Sequence, residues 1–264
     1  MTSTVDLEGF ERTSFSALGE TRTVYMRGAG PPVVVMHEVP GIYPAVEAFA
    51  RRLADAGFRV AMPHLFGTPG RAFSAHYSAG SMLHCCISRE FHVLAKRRAS
   101  PVTAWLRALC RDLHEASGGK GVGAIGMCIT GNFALALMVD PWLMAPVLSQ
   151  PGLPFPVTRH HKRALHLSDD DLATVKRRTS DEGVTVLGLR FTQDPICPKE
   201  RFARLRDELG DAFEGIEIPS GKGSDPPMPA TAHSVVTRDL VDEEGHPTRA
   251  ALERVLSFFE ERLR

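Results

Sequence analysis

Short apolar runs alternate with stretches of helical periodicity along most of this chain. Residues 12–18 and 22–27 alternate apolar and polar side chains, which predicts an antiparallel strand pair at one edge of a sheet. The continuous apolar run at 32–37 predicts a strand that is buried on both faces. Further strands are predicted at 58–62, 122–125, 145–149, 184–191 and 213–218.

Helical segments separate these strands. The periodic segment 45–56 stops at Gly57, and Pro101 is well placed to open a helix over about 100–116. Between them, the region that follows Gly70 is expected to be long and irregular. Further helices are predicted at 132–139, 198–209 and 248–263. Strands that alternate with helices in this way predict an α/β fold in one domain over 1–264, with a mostly parallel central sheet covered by helices on both faces.

The segment from about 150 to 183 departs from this alternation. It is rich in proline at its start, and Ser168 is followed by three aspartates. This run is typical of a helix N-cap with acidic residues in the first turn, which explains it more simply than a metal site does. We expect this insertion to form a lid or a contact surface.

Composition narrows the classes of function. Lys+Arg and Asp+Glu both number 31, so no net charge favours nucleic acid or an acidic membrane as a partner. The five cysteines form no C-x-x-C pair, which argues against a zinc cluster or a disulfide framework and favours a reducing compartment. With neither a signal-peptide pattern nor a long apolar run, the chain is expected to be cytoplasmic, as a monomer or homodimer.

The strongest chemical signal is Cys128 in the turn Gly126-Met127-Cys128-Ile129-Thr130-Gly131. An apolar strand precedes this turn and an apolar helix follows it. Such a strand-to-helix elbow is where α/β-hydrolases carry their nucleophile, and a helix N-terminus stabilises a thiolate. A buried cysteine that only packs in the core is the alternative interpretation.

A hydrolase elbow requires an acid and then a histidine further along the chain. Asp194 directly follows a predicted buried strand, and His233 lies on a loop before the last helix. In this arrangement His233 would transfer protons and Asp194 would orient its ring. The backbone N–H groups of Val39 and Ile129 are the predicted oxyanion hole. No metal or other cofactor is needed for this chemistry.

Glu38 is a carboxylate that a generic hydrolase does not explain. It lies in His37-Glu38-Val39-Pro40-Gly41-Ile42, at the carboxyl end of a predicted strand. This segment, together with the cysteine elbow and the later aspartate and histidine, resembles the dienelactone hydrolase (carboxymethylenebutenolidase) family over roughly 15–262. The resemblance implies an α/β-hydrolase fold and a role for Glu38 as the group that takes the Cys128 proton when substrate binds.

The resemblance also implies two arginines that hold a substrate carboxylate. Arg89 is near the expected first position, and Arg238 is one residue beyond the second, where this chain has Thr237. Ser234 is placed with them in the predicted substrate-binding set. Cys128 and Asp194 are 66 positions apart, longer than is usual in the family because of the insertion.

The sequence therefore predicts a cysteine hydrolase that cleaves a small-molecule ester or lactone through an acyl-enzyme. Two alternatives stay open. One is a thioesterase or carboxylesterase that acts on an uncharged acyl substrate. The other is a non-catalytic hydrolase-like protein that binds a ligand or senses thiol oxidation.

Overall fold

The computed structural model describes residues 2–87, 100–152, 156, 158–165 and 167–264. The described part of the chain forms an eight-stranded sheet with the order β1-β2-β4-β3-β5-β6-β7-β8. The strands are β1 (Glu11–Ala17), β2 (Glu20–Arg27), β3 (Pro32–Met36), β4 (Arg59–Pro63), β5 (Val122–Met127), β6 (Leu143–Ser149), β7 (Val186–Phe191) and β8 (Phe213–Ile218).

The sheet confirms the predicted architecture. β1 pairs antiparallel with β2 at one edge, β2 pairs antiparallel with β4, and the neighbours from β4 to β8 pair in parallel. β5 lies inside the sheet, between β3 and β6, and all of its residues are buried. Its wholly apolar and glycine sequence suits a strand with helices on both faces. The carboxyl ends of parallel strands share one edge of the sheet, which is where ligands gather in such folds.

The helices of the described residues are α1 (Pro44–Asp55), α2 (Ala75–Ile87), α3 (Pro101–Ser117), α4 (Gly131–Leu137), α5 (Arg159–Arg163), α6 (Asp169–Asp181), α7 (Lys199–Leu209) and α8 (Pro247–Leu263). One of them corrects a prediction, because α2 occupies part of the region expected to be irregular. Ser74 explains its start: the Ser74 Oγ atom accepts a hydrogen bond from the Tyr77 amide at 3.2 Å. Ser74 is therefore the N-cap residue of α2, a signal that the composition of the segment did not reveal.

The insertion forms two helices that are fastened to the main domain. Ser168 caps α6 as predicted, with its Oγ accepting from the Asp171 amide at 3.1 Å. From the same helix, the buried guanidinium of Arg178 donates to the carbonyls of Met138 and Leu143 at 2.8 and 2.9 Å. Met138 directly follows α4 and Leu143 is the first residue of β6, so Arg178 holds the insertion to the end of the sheet opposite the carboxyl ends of the strands.

The last helix, α8, packs tightly against the centre of the sheet. Phe259 is fully buried, and a Cβ added to Gly123 of β5 would lie 2.8 Å from its ring. The Phe259 ring also meets Phe58 edge to face, with 6.0 Å between ring centroids. Across the described residues, no helix combines the length and the apolar character that crossing a bilayer requires.

We predict that Phe259→Ala lowers the free energy of unfolding by about 3–5 kcal/mol, because the lost ring leaves a cavity that close packing cannot refill. Urea denaturation followed by circular dichroism measures this change. Leu83→Ala is the matched control, since Leu83 on α2 is 61% exposed, and it should change stability by no more than about 0.5 kcal/mol. Equal effects of the two substitutions would contradict the prediction.

Candidate active site

Cys128 lies on a sharp turn between β5 and α4. Its φ angle is +53°, a left-handed conformation that is uncommon for residues other than glycine. A short 3-10 turn, Cys128–Thr130, leads into α4 (Gly131–Leu137). A Cβ on Gly126 would lie 2.1 Å from the Thr130 carbonyl oxygen, and one on Gly131 would lie 2.5 Å from Pro151. The backbone therefore approaches too closely on either side of the cysteine for any residue other than glycine at positions 126 and 131.

Thr130 holds this turn to the end of β3. Its Oγ1 atom accepts a hydrogen bond from the Met127 amide at 2.9 Å and lies 2.9 Å from the Met36 carbonyl oxygen, to which it can donate. On the other side of the turn, the Gly152 amide donates to the Cys128 carbonyl at 2.8 Å. The position of the cysteine is thus fixed by bonds to β3 on one side and from the segment that follows β6 on the other.

The predicted acid and histidine lie together at the carboxyl ends of β7 and β8. His233 Nδ1 is 2.7 Å from Asp194 Oδ2, and both side chains are buried. The second oxygen of Asp194 accepts from the Ile196 amide at 2.8 Å. Asp239 fixes the histidine loop, because its Oδ2 accepts from the amides of His233 and Ser234, both at 2.8 Å.

The other edge of the His233 ring is directed to Cys128. Among the described residues, the buried Nε2 atom has no hydrogen-bond partner of standard geometry. Burial lowers the pKa of His233, but the charge of Cys128, the bond to Asp194 and an imperfectly aligned contact with Cys128 raise it well above 6.5. Loose contacts of this kind commonly tighten when substrate binds.

Of the two predicted oxyanion donors, Ile129 directly follows the cysteine and Val39 lies on the loop after β3. Among the described residues, the Val39 amide donates none of the backbone hydrogen bonds found outside helices and strands. His37 fixes the loop that carries Val39: the Leu65 amide donates to Nε2 of His37 at 3.1 Å, so Nδ1 carries the proton and donates to the Glu38 carbonyl at 3.2 Å. Burial and the charge of His64 lower the pKa of His37 to about 3, which keeps the ring neutral.

Glu38 is buried and accepts four hydrogen bonds from neutral groups. Tyr43 Oη and Thr237 Oγ1 donate to Oε1, the former at 2.6 Å. Ser234 Oγ and Gln150 Nε2 donate to Oε2, at 2.8 and 3.1 Å. Since a carboxylate has about four acceptor positions, these donors fill it. They come from three loops, so Glu38 joins the loop after β3 to those after β6 and β8.

The predicted substrate-binding residues have different surroundings. Arg89 lies outside the described residues. Arg238 donates from Nη2 to Asp239 at 2.8 Å, and its guanidinium lies 5.0 Å from the centroid of the Phe73 ring. Ser234 and Thr237 both donate to Glu38. In this conformation both hydroxyl groups therefore donate to the protein itself.

Several residues around the site have no role in the sequence predictions. Two partners of Glu38, Tyr43 and Gln150, gave no signal, because a lone tyrosine or glutamine in a loop is ordinary. Thr130 lies inside the elbow motif, where its hydroxyl was a usable signal. Arg201 also contacts the site from α7, and nothing in its sequence neighbourhood indicates this. Among the described residues, no group of three or more His, Cys, Asp or Glu side chains could hold a metal ion.

Comparison with known proteins identifies the family. The profile of the Dienelactone hydrolase family matches residues 20–263. No curated protein matches the chain in sequence.

Three solved structures share the fold. A Klebsiella pneumoniae protein assigned as a dienelactone hydrolase has a TM-score of 0.63 at 18% identity, over 96% of this chain and 98% of its own. A promiscuous, dienelactone hydrolase-like phosphotriesterase from metagenomic libraries has a TM-score of 0.62 at 18% identity, over 97% and 98%. The dienelactone hydrolase of Anabaena variabilis has a TM-score of 0.58 at 14% identity, over 97% and 100%. At such low identity, the likeness establishes the fold alone.

We predict that Thr237→Val lowers the free energy of unfolding by about 1.5–3 kcal/mol, the usual cost of losing a hydrogen bond to a charged group. The Thr237 side chain is buried, and valine matches its shape without the hydroxyl that binds Glu38. Thr237→Ser keeps the hydroxyl and should retain most of the stability. Urea denaturation of both variants tests this, and equal losses would show that the hydroxyl does not matter.

Proposed function

The chain belongs to the dienelactone hydrolase family, and on that premise we propose that it cleaves a carboxylic ester or lactone through an acyl-enzyme on Cys128. One observation carries the proposal: Cys128, on its left-handed turn, meets a buried His233 whose far side is bound to Asp194 at 2.7 Å. A nucleophile, a base in reach of it and a group that orients the base are the parts that covalent acyl transfer requires.

The proposed reaction has two halves. His233 Nε2 takes the Cys128 proton, and the sulfur attacks the carbonyl carbon of the ester while the carbonyl oxygen gains the negative charge. The amides of Val39 and Ile129 are the proposed donors to that oxygen. When the tetrahedral intermediate collapses, the C–O bond breaks and His233 gives its proton to the leaving alkoxide. Water then repeats the sequence on the thioester, which releases the acid and restores the thiol.

We propose that Glu38 controls the formation of the thiolate. The resemblance to the family suggests that Glu38, in place of His233, removes the Cys128 proton once substrate is bound. In that case the proton passes from Glu38 to the leaving alkoxide, and His233 acts on the attacking water. In this chain, four donors already fill its carboxylate, so Glu38 must give up at least one of them before it can accept a proton from sulfur. Substrate that displaces one of these donors would link occupancy of the site to activation of the thiol.

We predict that Cys128→Ala abolishes turnover of aryl esters and lactones, and that the native chain forms a covalent adduct with the mass of the acyl group. Intact-mass spectrometry after rapid acid quenching detects this adduct. Cys128→Ala is the control that should show none. Hydrolysis by Cys128→Ala at the native rate would refute the nucleophile. Absence of turnover across a broad acyl panel would instead support the binding or thiol-sensing alternative.

A specific observation favours the alternative of an uncharged acyl substrate. Where the family's second substrate arginine is expected, Thr237 binds Glu38, and the neighbouring Arg238 is paired with Asp239. Glu38 itself is a buried acid in the same region, which disfavours a substrate carboxylate nearby. A neutral ester or thioester would avoid this repulsion.

Matched substrates that differ only in a free carboxylate or its methyl ester test this second candidate. For a neutral substrate, we predict that kcat/KM is higher for the methyl ester, and that Arg238→Ala and Arg89→Ala each change its kcat/KM by less than about threefold. A preference for the carboxylate that is lost by tenfold or more in either alanine variant would assign the site to anionic lactones. Both outcomes leave the Cys128 mechanism intact.

A further inference from the structure

Gly152 lies directly beside the sulfur of the proposed nucleophile. It is buried and follows β6, and its amide donates to the Cys128 carbonyl at 2.8 Å. A Cβ built on Gly152 would lie 3.5 Å from Cys128 Sγ, an ordinary contact distance, and 2.8 Å from Cγ2 of Ile196. The sulfur and an Ile196 methyl group therefore border the same small space, which a side chain at position 152 would fill.

The backbone of Ile196 is held in place next to this space. Its amide donates to Asp194 Oδ1 at 2.8 Å, and its carbonyl accepts from the Arg201 guanidinium at 3.4 Å. The Ile196 side chain is partly exposed, whereas Cys128 is buried. Ile196 is therefore an apolar wall that borders both the solvent and the space next to the sulfur.

The bonds of the tetrahedral intermediate indicate which part of a substrate would meet this wall. Its central carbon is bonded to the sulfur, the oxyanion, the leaving oxygen and the first carbon of the acyl chain. The proposed mechanism directs the oxyanion to the amides of Val39 and Ile129. It directs the leaving oxygen to the group that protonates it, His233 or Glu38. The acyl chain is the substituent that these groups leave for the side of the sulfur at Gly152.

We propose that Gly152 and Ile196 are the specificity-determining residues for the acyl group, and that they select an uncharged aliphatic chain longer than acetyl. The proposal rests on the proposed function of Cys128 and names the substrate class of that same site. Methylene groups that pack against the Ile196 side chain leave water, which favours their binding. A carboxylate in the same place would lose its water and gain no hydrogen bond from either side chain.

The test is kcat/KM of the full chain for the para-nitrophenyl esters of acetic, butyric and hexanoic acid. The native chain should prefer butyrate and hexanoate to acetate. Alanine suits the backbone of Gly152, whose φ angle lies outside the left-handed region, but its methyl group displaces the Ile196 side chain. Gly152→Ala should therefore lower kcat/KM by about tenfold or more for the two longer esters and by less than about threefold for acetate, because an apolar pocket commonly discriminates one methylene group by about 10–200-fold.

Gly119→Ala is the matched control for this substitution. A Cβ on Gly119 would meet Ser117 Oγ at 4.0 Å, and Gly119 lies before β5, at the opposite end of that strand from Cys128. It should leave the values for the three esters unchanged.

Ile196→Ala tests the wall itself. The longer chains lose their packing partner, so the ratio of kcat/KM for hexanoate to that for acetate should fall about fivefold or more, whereas Ile196→Val should keep most of the native ratio. Ile216→Ala is the matched control, since Ile216 is a partly buried isoleucine on β8, three strands from β5. It should not change the ratio. If Gly152→Ala fails to fold, the Ile196 variants decide.

A second series varies the alcohol instead, as phenyl, para-butylphenyl and para-hexylphenyl acetate. Selectivity that Gly152→Ala and Ile196→Ala change in this series, and not in the acyl series, overturns the proposal, because the space then holds the leaving group. The proposal is also overturned by a native preference for acetate, by an unchanged ratio in Ile196→Ala, or by an equal loss for all acyl lengths, which would indicate a displaced sulfur.

Intact-mass spectrometry of the same reactions separates this proposal from the proposed function. If the native chain forms no acyl adduct and turns over none of these esters, the nucleophile itself fails. If native Cys128 carries the acyl group and the variants keep the native order of chain lengths, only the assignment of Gly152 and Ile196 fails.

Discussion

The sharp turn at Cys128 is the constraint on which the site depends. A left-handed backbone at a residue with a side chain is unfavourable, and it persists only where the surrounding structure holds it. Here Gly126 and Gly131 allow the backbone to approach closely on both sides, and Thr130 and Gly152 bind the turn from two directions. The result is a sulfur atom at the carboxyl end of the sheet, within reach of the histidine loop.

The loops around this turn are held by buried polar groups. Glu38 joins three loops through neutral donors, and Asp239 orders the backbone at His233. Such networks stabilise a single arrangement when every member is satisfied, and each lost partner is costly. In this chain the Glu38 carboxylate therefore holds loops together, whereas the family resemblance suggests a chemical role for the same group. Under the proposed mechanism, at least one of its four bonds has to break before Glu38 can accept the thiol proton.

Two buried arginines explain how the insertion becomes part of the domain. Arg178 binds the turn before β6, and Arg201 binds the segment that follows the same strand. Both use the five N–H donors of a planar guanidinium to bind carbonyls of several segments, whereas lysine has only three donors on one nitrogen. The insertion is thus fastened at both ends of one strand.

The sequence by itself determined the α/β architecture, because buried strands and amphipathic helices have distinct periodicities. It also predicted Cys128 and Asp194 directly after strands and His233 on the loop before the last helix. It missed the helix at 75–87, whose N-cap serine is a weak signal. Only the tertiary structure decided that Thr237 and Glu38 meet, since 199 positions separate them along the chain. The same holds for Arg201, because contacts to backbone carbonyls depend on chain geometry and leave no pattern in residue types.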